Sequence, residues 1–251
     1  MKHIKLLKTK KGRDETGLFI VEGLKFVDEI PHTWHIEQYI FAKHFADNQD
    51  ISKYQSRAPY SIVKDSIFDS LASTVSPQGI IAICKKQELS LINLQENATC
   101  TNPLYLICEN LNDPGNIGAL IRTAAAAGAA GIILTHGSGD VYNPKVLRAA
   151  AGAVLRTPII ENVTLLSVVS YMQERNIPIY AAHPRGTALP YDVDMKQAFC
   201  LLVGNESHGI SQTAADMASS LISLPMVNTT ESLNASVAGS VLLYEAVRQR
   251  I

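Results

Sequence analysis

From residue 104 onward, short apolar runs alternate with segments of helical composition, and this alternation restricts that half of the chain to a parallel sheet covered by helices. Leu104-Tyr-Leu-Ile-Cys108 is a compact apolar run suited to a strand buried on both faces. A loop over 109–116 contains Asn-Asp-Pro-Gly. A helix is predicted over 117–127, Gly128 suits the residue just past its end, and a strand over 131–134 completes one βαβ unit. Pro144 fits the first turn of a helix running to 151. Further on the pattern predicts a helix over 167–174, strands over 179–182, 198–203 and 221–224, and a terminal helix over 236–250.

The first part of the chain reads as a separate, smaller α/β domain. Apolar runs at 18–21, 36–41 and 80–83 alternate with helical spacing at 23–30 and 66–72. The stretch 85–103 is polar and has no sustained period, although 89–94 could form a last strand. The expected organisation is a first domain over 1–88, a linker over 89–103 and a second domain over 104–251. Only 6% of the residues are aromatic against 47% hydrophobic overall, which favours an α/β core over an aromatic-rich β-sandwich.

The net charge of −1 gives no overall pull toward an anionic partner. Its distribution is more telling, because Lys2, Lys5, Lys8, Lys10, Lys11 and Arg13 occur in the first thirteen residues with no acid among them. Such a cluster can sit on phosphates, and a solvated amphipathic segment is the alternative. The four cysteines, Cys84, Cys100, Cys108 and Cys200, form no CxxC pair. Neither a metal nor a disulfide framework is expected, only thiols in a reducing cytoplasm. The chain contains no apolar run of about 18 residues, so no membrane span is expected. The N-terminus lacks the pattern of a secretory leader.

Ligands of parallel sheets gather where strands end at their carboxyl edge, and three segments qualify. In Asn112-Asp-Pro-Gly-Asn-Ile-Gly118, Asn116 offers donors and acceptors. Arg122 then stands as the one charged side chain between Asp113 and Asp140, among alanines that permit close packing. It suits a phosphate or a polarised hydroxyl, or else a surface position. In Gly204-Asn-Glu-Ser-His-Gly-Ile210, glycines bracket Glu206 at a strand-to-helix corner, and His208 reads as a loop histidine. In the third, Leu224-Pro-Met226 precedes Glu231-Ser-Leu-Asn234, where Ser232 and Asn234 can cap the last helix or hold a ligand at its positive end. Dinucleotide (GxGxxG), P-loop, GxSxG and HExxH signatures are missing.

In this order the three segments resemble the SpoU (TrmH-type) family of RNA ribose methyltransferases, within the SPOUT superfamily. Asn112 to Ala124, Leu202 to Ile210, Leu224-Pro-Met226 and Ser232 to Val237 carry the similarity, which spans about 104–251. Phe19-Ile-Val-Glu-Gly23 and Ser76-Pro-Gln-Gly-Ile80 resemble that family's ribosomal-protein-like substrate-binding domain. Ser207 stands where the family more often has glycine. The resemblance implies a second domain with a deep trefoil knot that forms the cofactor site, and a homodimer through that domain. The Ala-rich face around Arg122 and Val237, Val241 and Tyr244 of the last helix are consistent with close helix packing there.

The resemblance further implies transfer of a methyl group from S-adenosylmethionine to a ribose 2′-hydroxyl of structured RNA, ribosomal rather than transfer RNA. Asn116, Arg122, Glu206, Ser232 and Asn234 would form the catalytic set. Gly204, Leu224, Met226 and Leu233 would hold the cofactor, with no metal. A guanidinium keeps its proton at any working pH and is a poor proton acceptor, so Arg122 is expected to bind phosphate and steady a developing alkoxide, oriented by Glu206 and Asn116. Lys5, Lys8, Lys10, Lys11, Arg13, Lys145 and Arg148 are the candidate RNA contacts. The rivals are a non-catalytic RNA-binding protein of the same fold, a related knotted enzyme acting on a base, and a small-molecule α/β enzyme.

Overall fold

The computed structural model describes residues 2–97 and 101–251, and Cys100 lies outside them. The chain divides into two compact units, one of residues 1–87 with 142–155, the other of 88–141 with 156–251. Segment 142–155, assigned from sequence to the second domain, thus packs with the first. The Tyr142 ring lies tilted against Phe19 with centroids 4.5 Å apart, and the Trp34 indole donates at 3.0 Å to the Leu155 carbonyl. Local periodicity carries no information about such tertiary pairing.

The first unit holds a four-stranded sheet in the order β1 (Leu18–Glu22), β4 (Ile80–Lys85), β2 (Ile36–Ala42), β3 (Tyr60–Val63). β4 runs antiparallel to both β1 and β2, while β2 and β3 are parallel. Central β4 is apolar on both faces, whereas edge strand β3 alternates between half-buried and exposed positions. That weak signal is why β3 escapes sequence reading.

In the short helix Lys10–Thr16, Arg13 turns inward. It is 2% exposed, and its guanidinium donates at 2.7 Å to the Leu7 carbonyl. Lys8 donates to the carbonyls of Ser70 and Ala72. The expectation that Arg13 contacts RNA is therefore corrected, and Lys8 has a structural task of its own. Lys5, Lys10 and Lys11 stay exposed, Lys11 beside Glu15 at 3.7 Å. Arg13→Ala should cost about 2 kcal/mol, by leaving a carbonyl unpaired and a void. Thermal unfolding should register a fall of several degrees, with the salt dependence of RNA binding unchanged; a flattened salt slope with no loss of stability would return Arg13 to the RNA contacts.

The second unit holds a six-stranded, wholly parallel sheet: β10 (Ser220–Ile222), β8 (Ile179–Ala182), β9 (Phe199–Val203), β5 (Leu104–Cys108), β6 (Gly131–Thr135), β7 (Ile159–Val163). β5, β6 and β9 are buried throughout. Each fully buried Leu or Ile there contributes about 1.5–3 kcal/mol. Cys84, Cys108 and Cys200 are buried thiols; burial pushes the first two up to about 12. The expected linker contains a helix, Leu91–Asn97, rather than a strand, and its Leu94 is buried in the second unit's core.

The helix Pro114–Ala126 starts three residues earlier than expected. Pro114 occupies its first turn and the Asp113 carboxylate accepts the Asn116 N–H at 2.9 Å, a proline start with a capping acid. Gly128, with φ of 77°, lies just past its end. The C-terminal helix Ala235–Arg250 packs alongside it. Between them Ser236 meets Asn116 and Ser240 meets Thr123, at 3.1 and 3.0 Å. A Cβ on Gly239 would come within 2.6 Å of Leu120, so glycine lets the helices approach. No helix among the described residues is long and apolar enough to cross a membrane.

Candidate active site

Four adjacent parallel strands, β10, β8, β9 and β5, end at the same edge of the sheet. The segments leaving the first three, with the start of the C-terminal helix, line a pocket of about 330 Å³. Gly204, Glu206, Leu224, Met226, Ser232 and Leu233 all line it, as expected from sequence. So do His183, Pro184 and Arg185, which sequence reading passed over. These follow β8 directly, and the rule that sites collect after strand ends would have found them.

Gly204 makes the sharp exit from β9 possible. The Asn205 and Gly209 backbones exchange two hydrogen bonds of 2.9 Å, closing the loop tightly. A Cβ on Gly204 would lie 2.3 Å from the Gly209 carbonyl carbon and 2.4 Å from the Ile210 nitrogen. Inside the loop, the Asn205 side chain accepts the N–H groups of Ser207 and His208, and its amide donates at 2.8 Å to the Asn110 carbonyl. His208 touches Asn205 at 3.1 Å, in keeping with a loop role.

Glu206 joins this loop to the helix Pro114–Ala126. Its carboxylate accepts the Asp113 N–H at 2.8 Å, the Asn112 N–H at 3.3 Å and the Asn116 amide at 3.2 Å. Partial burial pushes its pKa up, but the donors at Asp113, Asn116 and Asn112 outweigh that and hold it below its ordinary value. The positive end of the helix favours the anion too. Asn116 is 8% exposed, and its carbonyl oxygen faces the Ser236 hydroxyl at 3.1 Å. That hydroxyl lies 2.7 Å from Asn234 Oδ1, which also accepts the N–H groups of Ser236 and Val237 as the helix cap. Glu206, Asn116, Ser236 and Asn234 thus form one continuous chain of polar contacts.

Sequence reading missed Ser236, and it missed Glu109. The pair of buried Glu109 and exposed Ser211 ties the end of β5 to the far end of the 204–210 loop: Glu109 accepts the Ser211 hydroxyl at 2.5 Å and its N–H at 2.9 Å. No local motif marks either residue, because partners 102 and 120 positions away define them.

Asn116 and Asn234 support the pocket from behind rather than line it, while Ser232 lines it without capping the helix. Arg122 stands apart. It is exposed, lies about 120° around the helix from Asn116, and does not line its own chain's pocket. The expected orientation of Arg122 by Glu206 and Asn116 is not found within one chain, because those two bond to each other. The two helices run parallel and meet along Asn116–Ser236, Leu120–Gly239 and Thr123–Ser240. Residues one step before the contact line on one helix share a flank with those one step after it on the other. Arg122 therefore shares an exposed flank with Val237, Val241 and Tyr244, which are 48%, 45% and 53% exposed.

Residues 103–244 match the family model described as the SpoU rRNA Methylase family, and residues 1–82 match the MRM3-like substrate binding domain. Among curated proteins, the 23S rRNA (guanosine(2553)-2′-O)-methyltransferase RlmP of Bacillus subtilis is 29% identical, over 97% of this chain and 94% of its own. Among solved structures, the AdoMet-bound rRNA methyltransferase from Sinorhizobium meliloti superposes with a TM-score of 0.89 at 29% identity, covering 100% of this chain and 94% of that one. The SpoU methyltransferase AviRb from Streptomyces viridochromogenes, in complex with AdoMet, gives 0.87 at 26% identity, over 99% and 96%.

Proposed function

Because the chain belongs to the SpoU rRNA methylase family, we infer that it transfers a methyl group from S-adenosylmethionine to a ribose 2′-hydroxyl of ribosomal RNA. The observation that carries this reading is the pocket at the strand ends, backed by the chain of contacts from Glu206 to Asn234. The residues present fit the cofactor. Gly204 lets the loop close on itself, since a Cβ there would meet the Gly209 and Ile210 backbone, and the walls mix apolar Leu224, Met226 and Leu233 with polar Ser232 and Arg185. Backbone groups at Gly204, Leu224 and Leu233 would hold the adenosine and methionine parts. We include in this reading the cytoplasm as its location and the knot that the resemblance implies.

When bound, S-adenosylmethionine supplies an electrophilic methyl group on its sulfonium, so the protein's task is position. Reacting atoms must be held about 3–3.5 Å apart and in line. Glu206 and Asn116 tie the first loop to the second, and Asn234 with Ser236 anchors the end of the third at the helix start. Lys5, Lys10, Lys11, Lys145 and Arg148 are exposed cations that would meet phosphates. The apolar flank of Val237, Val241 and Tyr244 is the face for a second copy of the chain. Arg122, on the same flank, would then serve the partner's pocket, gripping the RNA phosphate beside the target ribose and steadying the oxygen as it loses its proton.

Arg122→Lys should lose most turnover while calorimetry finds cofactor affinity unchanged; near-normal turnover would remove Arg122 from the chemistry. Chains carrying Arg122→Ala and Glu206→Gln, each inactive alone, should recover about one quarter of normal turnover when mixed, because half the dimers then contain one intact composite site. Absence of recovery would mean that Arg122 serves its own chain. Digestion to nucleosides and mass spectrometry tests the reaction itself: the product should be a 2′-O-methylated nucleoside, and a base-methylated product would overturn the assignment.

A further inference from the structure

The first unit contains a second pocket, of about 350 Å³, that the chemistry above does not use. It lies between β1, the residues around 73–78, and segment 144–155, all within that unit. Val21, Phe26, Leu147 and Val154 give it an apolar interior. Two cations stand on its wall. Lys25 and Arg148 are exposed and make no ion pair among the described residues. The one acid lining it, Glu22, is already engaged, since its carboxylate accepts the N–H groups of Ser73 and Thr74 and the Thr74 hydroxyl. Gln78 uses its oxygen to accept the Leu24 N–H at 2.7 Å, which leaves its amide N–H₂ as a donor, with the Ser76 hydroxyl nearby on the same wall.

An apolar slot with an aromatic side chain, a few neutral donors and acceptors, and cations on the wall matches a nucleotide. Single-stranded RNA is recognised by taking unstacked bases onto aromatic and apolar surfaces while cations hold the phosphates. We propose that this pocket takes one unstacked nucleotide of the RNA substrate, its base against Phe26 and Leu147 and its phosphate on Arg148 and Lys25. The inference rests on the reading of the chain as an RNA methyltransferase and adds to it a second, separate point of RNA recognition.

The protein carries a built-in reporter. Its single tryptophan, Trp34, donates its indole N–H to the carbonyl of Leu155, which lines the pocket. The full-length protein, saturated with S-adenosylhomocysteine to fill the other pocket, is titrated with each of the four nucleoside 5′-monophosphates while the indole N–H signal is followed by NMR. A saturable shift is expected with at least one of them at millimolar concentration. Leu147→Tyr, which fills the slot without adding an indole, should abolish it. The exposed Arg148→Ala should weaken the nucleotide about tenfold and leave the matching nucleoside unchanged, the signature of a lost phosphate contact. Four results would overturn the proposal: no shift with any nucleotide, an equal shift with ribose 5-phosphate, equal weakening of nucleoside and nucleotide by Arg148→Ala, or an undiminished shift in Leu147→Tyr. Failure of S-adenosylhomocysteine to bind would instead count against the methyltransferase reading, since the nucleotide titration is read separately.

Discussion

Glu206→Gln should lower turnover at least about a hundredfold, the scale of loss when reacting groups are held out of place by roughly an ångström. The carboxylate accepts from Asp113, Asn112 and Asn116 at once. Glutamine retains one acceptor oxygen and sets an amide N–H₂ against groups that are themselves donors. The first loop then loses its tie to the second, and Asn116 loses half of its support. Cofactor affinity, measured by calorimetry, should fall much less than kcat, because the pocket's apolar walls are untouched. The pH profile is a second signature. Since Glu206 titrates below its ordinary range in the folded protein, its contribution is complete above the unfolded-state value of about 4.3 and fades only as pH falls through the depressed folded value. Turnover should therefore show no break from Glu206 between neutrality and that range. A Glu206→Gln variant with normal kcat would mean that the carboxylate merely decorates the loop.

Gly204→Ala should be nearly as damaging, and by a different route. The added methyl would stand 2.3–2.4 Å from three backbone atoms of Gly209 and Ile210, none of which can rotate away as a side-chain tip would. The loop must open, at a cost of about 1–3 kcal/mol for overpacking. In a chain of this size that corresponds to a fall in Tm of roughly 3–10 °C. The shifted loop also withdraws the backbone proposed to hold the cofactor, so affinity for S-adenosylmethionine should drop at least about tenfold. The Ala variant binding cofactor normally at unchanged Tm would show that the loop has room the geometry denies.

Much of this site was legible in the sequence because it is built from loops whose local chemistry is distinctive. Pro114 after Asp113 announces a helix start, glycines bracket Glu206, and Asn234 stands where a cap belongs. Six expected residues line one pocket. What escaped reading depends on partners distant in the chain. Nothing local to Ser236 or Glu109 betrays that each completes a contact across the sheet edge. Arg13 looked like its basic neighbours, yet the helix turns it inward while Lys10 and Lys11 face water. Residues 142–155 read as part of the second domain because their helix signal is local, whereas their membership in the first unit comes from packing on Phe19 and Trp34. The β7 strand was missed because only Ile159 and Ile160 of its five residues are buried.

The helix Ala235–Arg250 supplies the hydroxyl that links Asn116 to Asn234, and its last turn is pinned by Gln249 and Arg250 to carbonyls between Pro190 and Gln197. During translation, that segment emerges after every strand of both sheets. A nascent polypeptide stalled upstream of Asn234 can pair all of its strands and still lack the final brace. Termination upstream of Asn234 should therefore remove both this brace and the buried Leu242, Leu243 and Ala246, and yield an inert product.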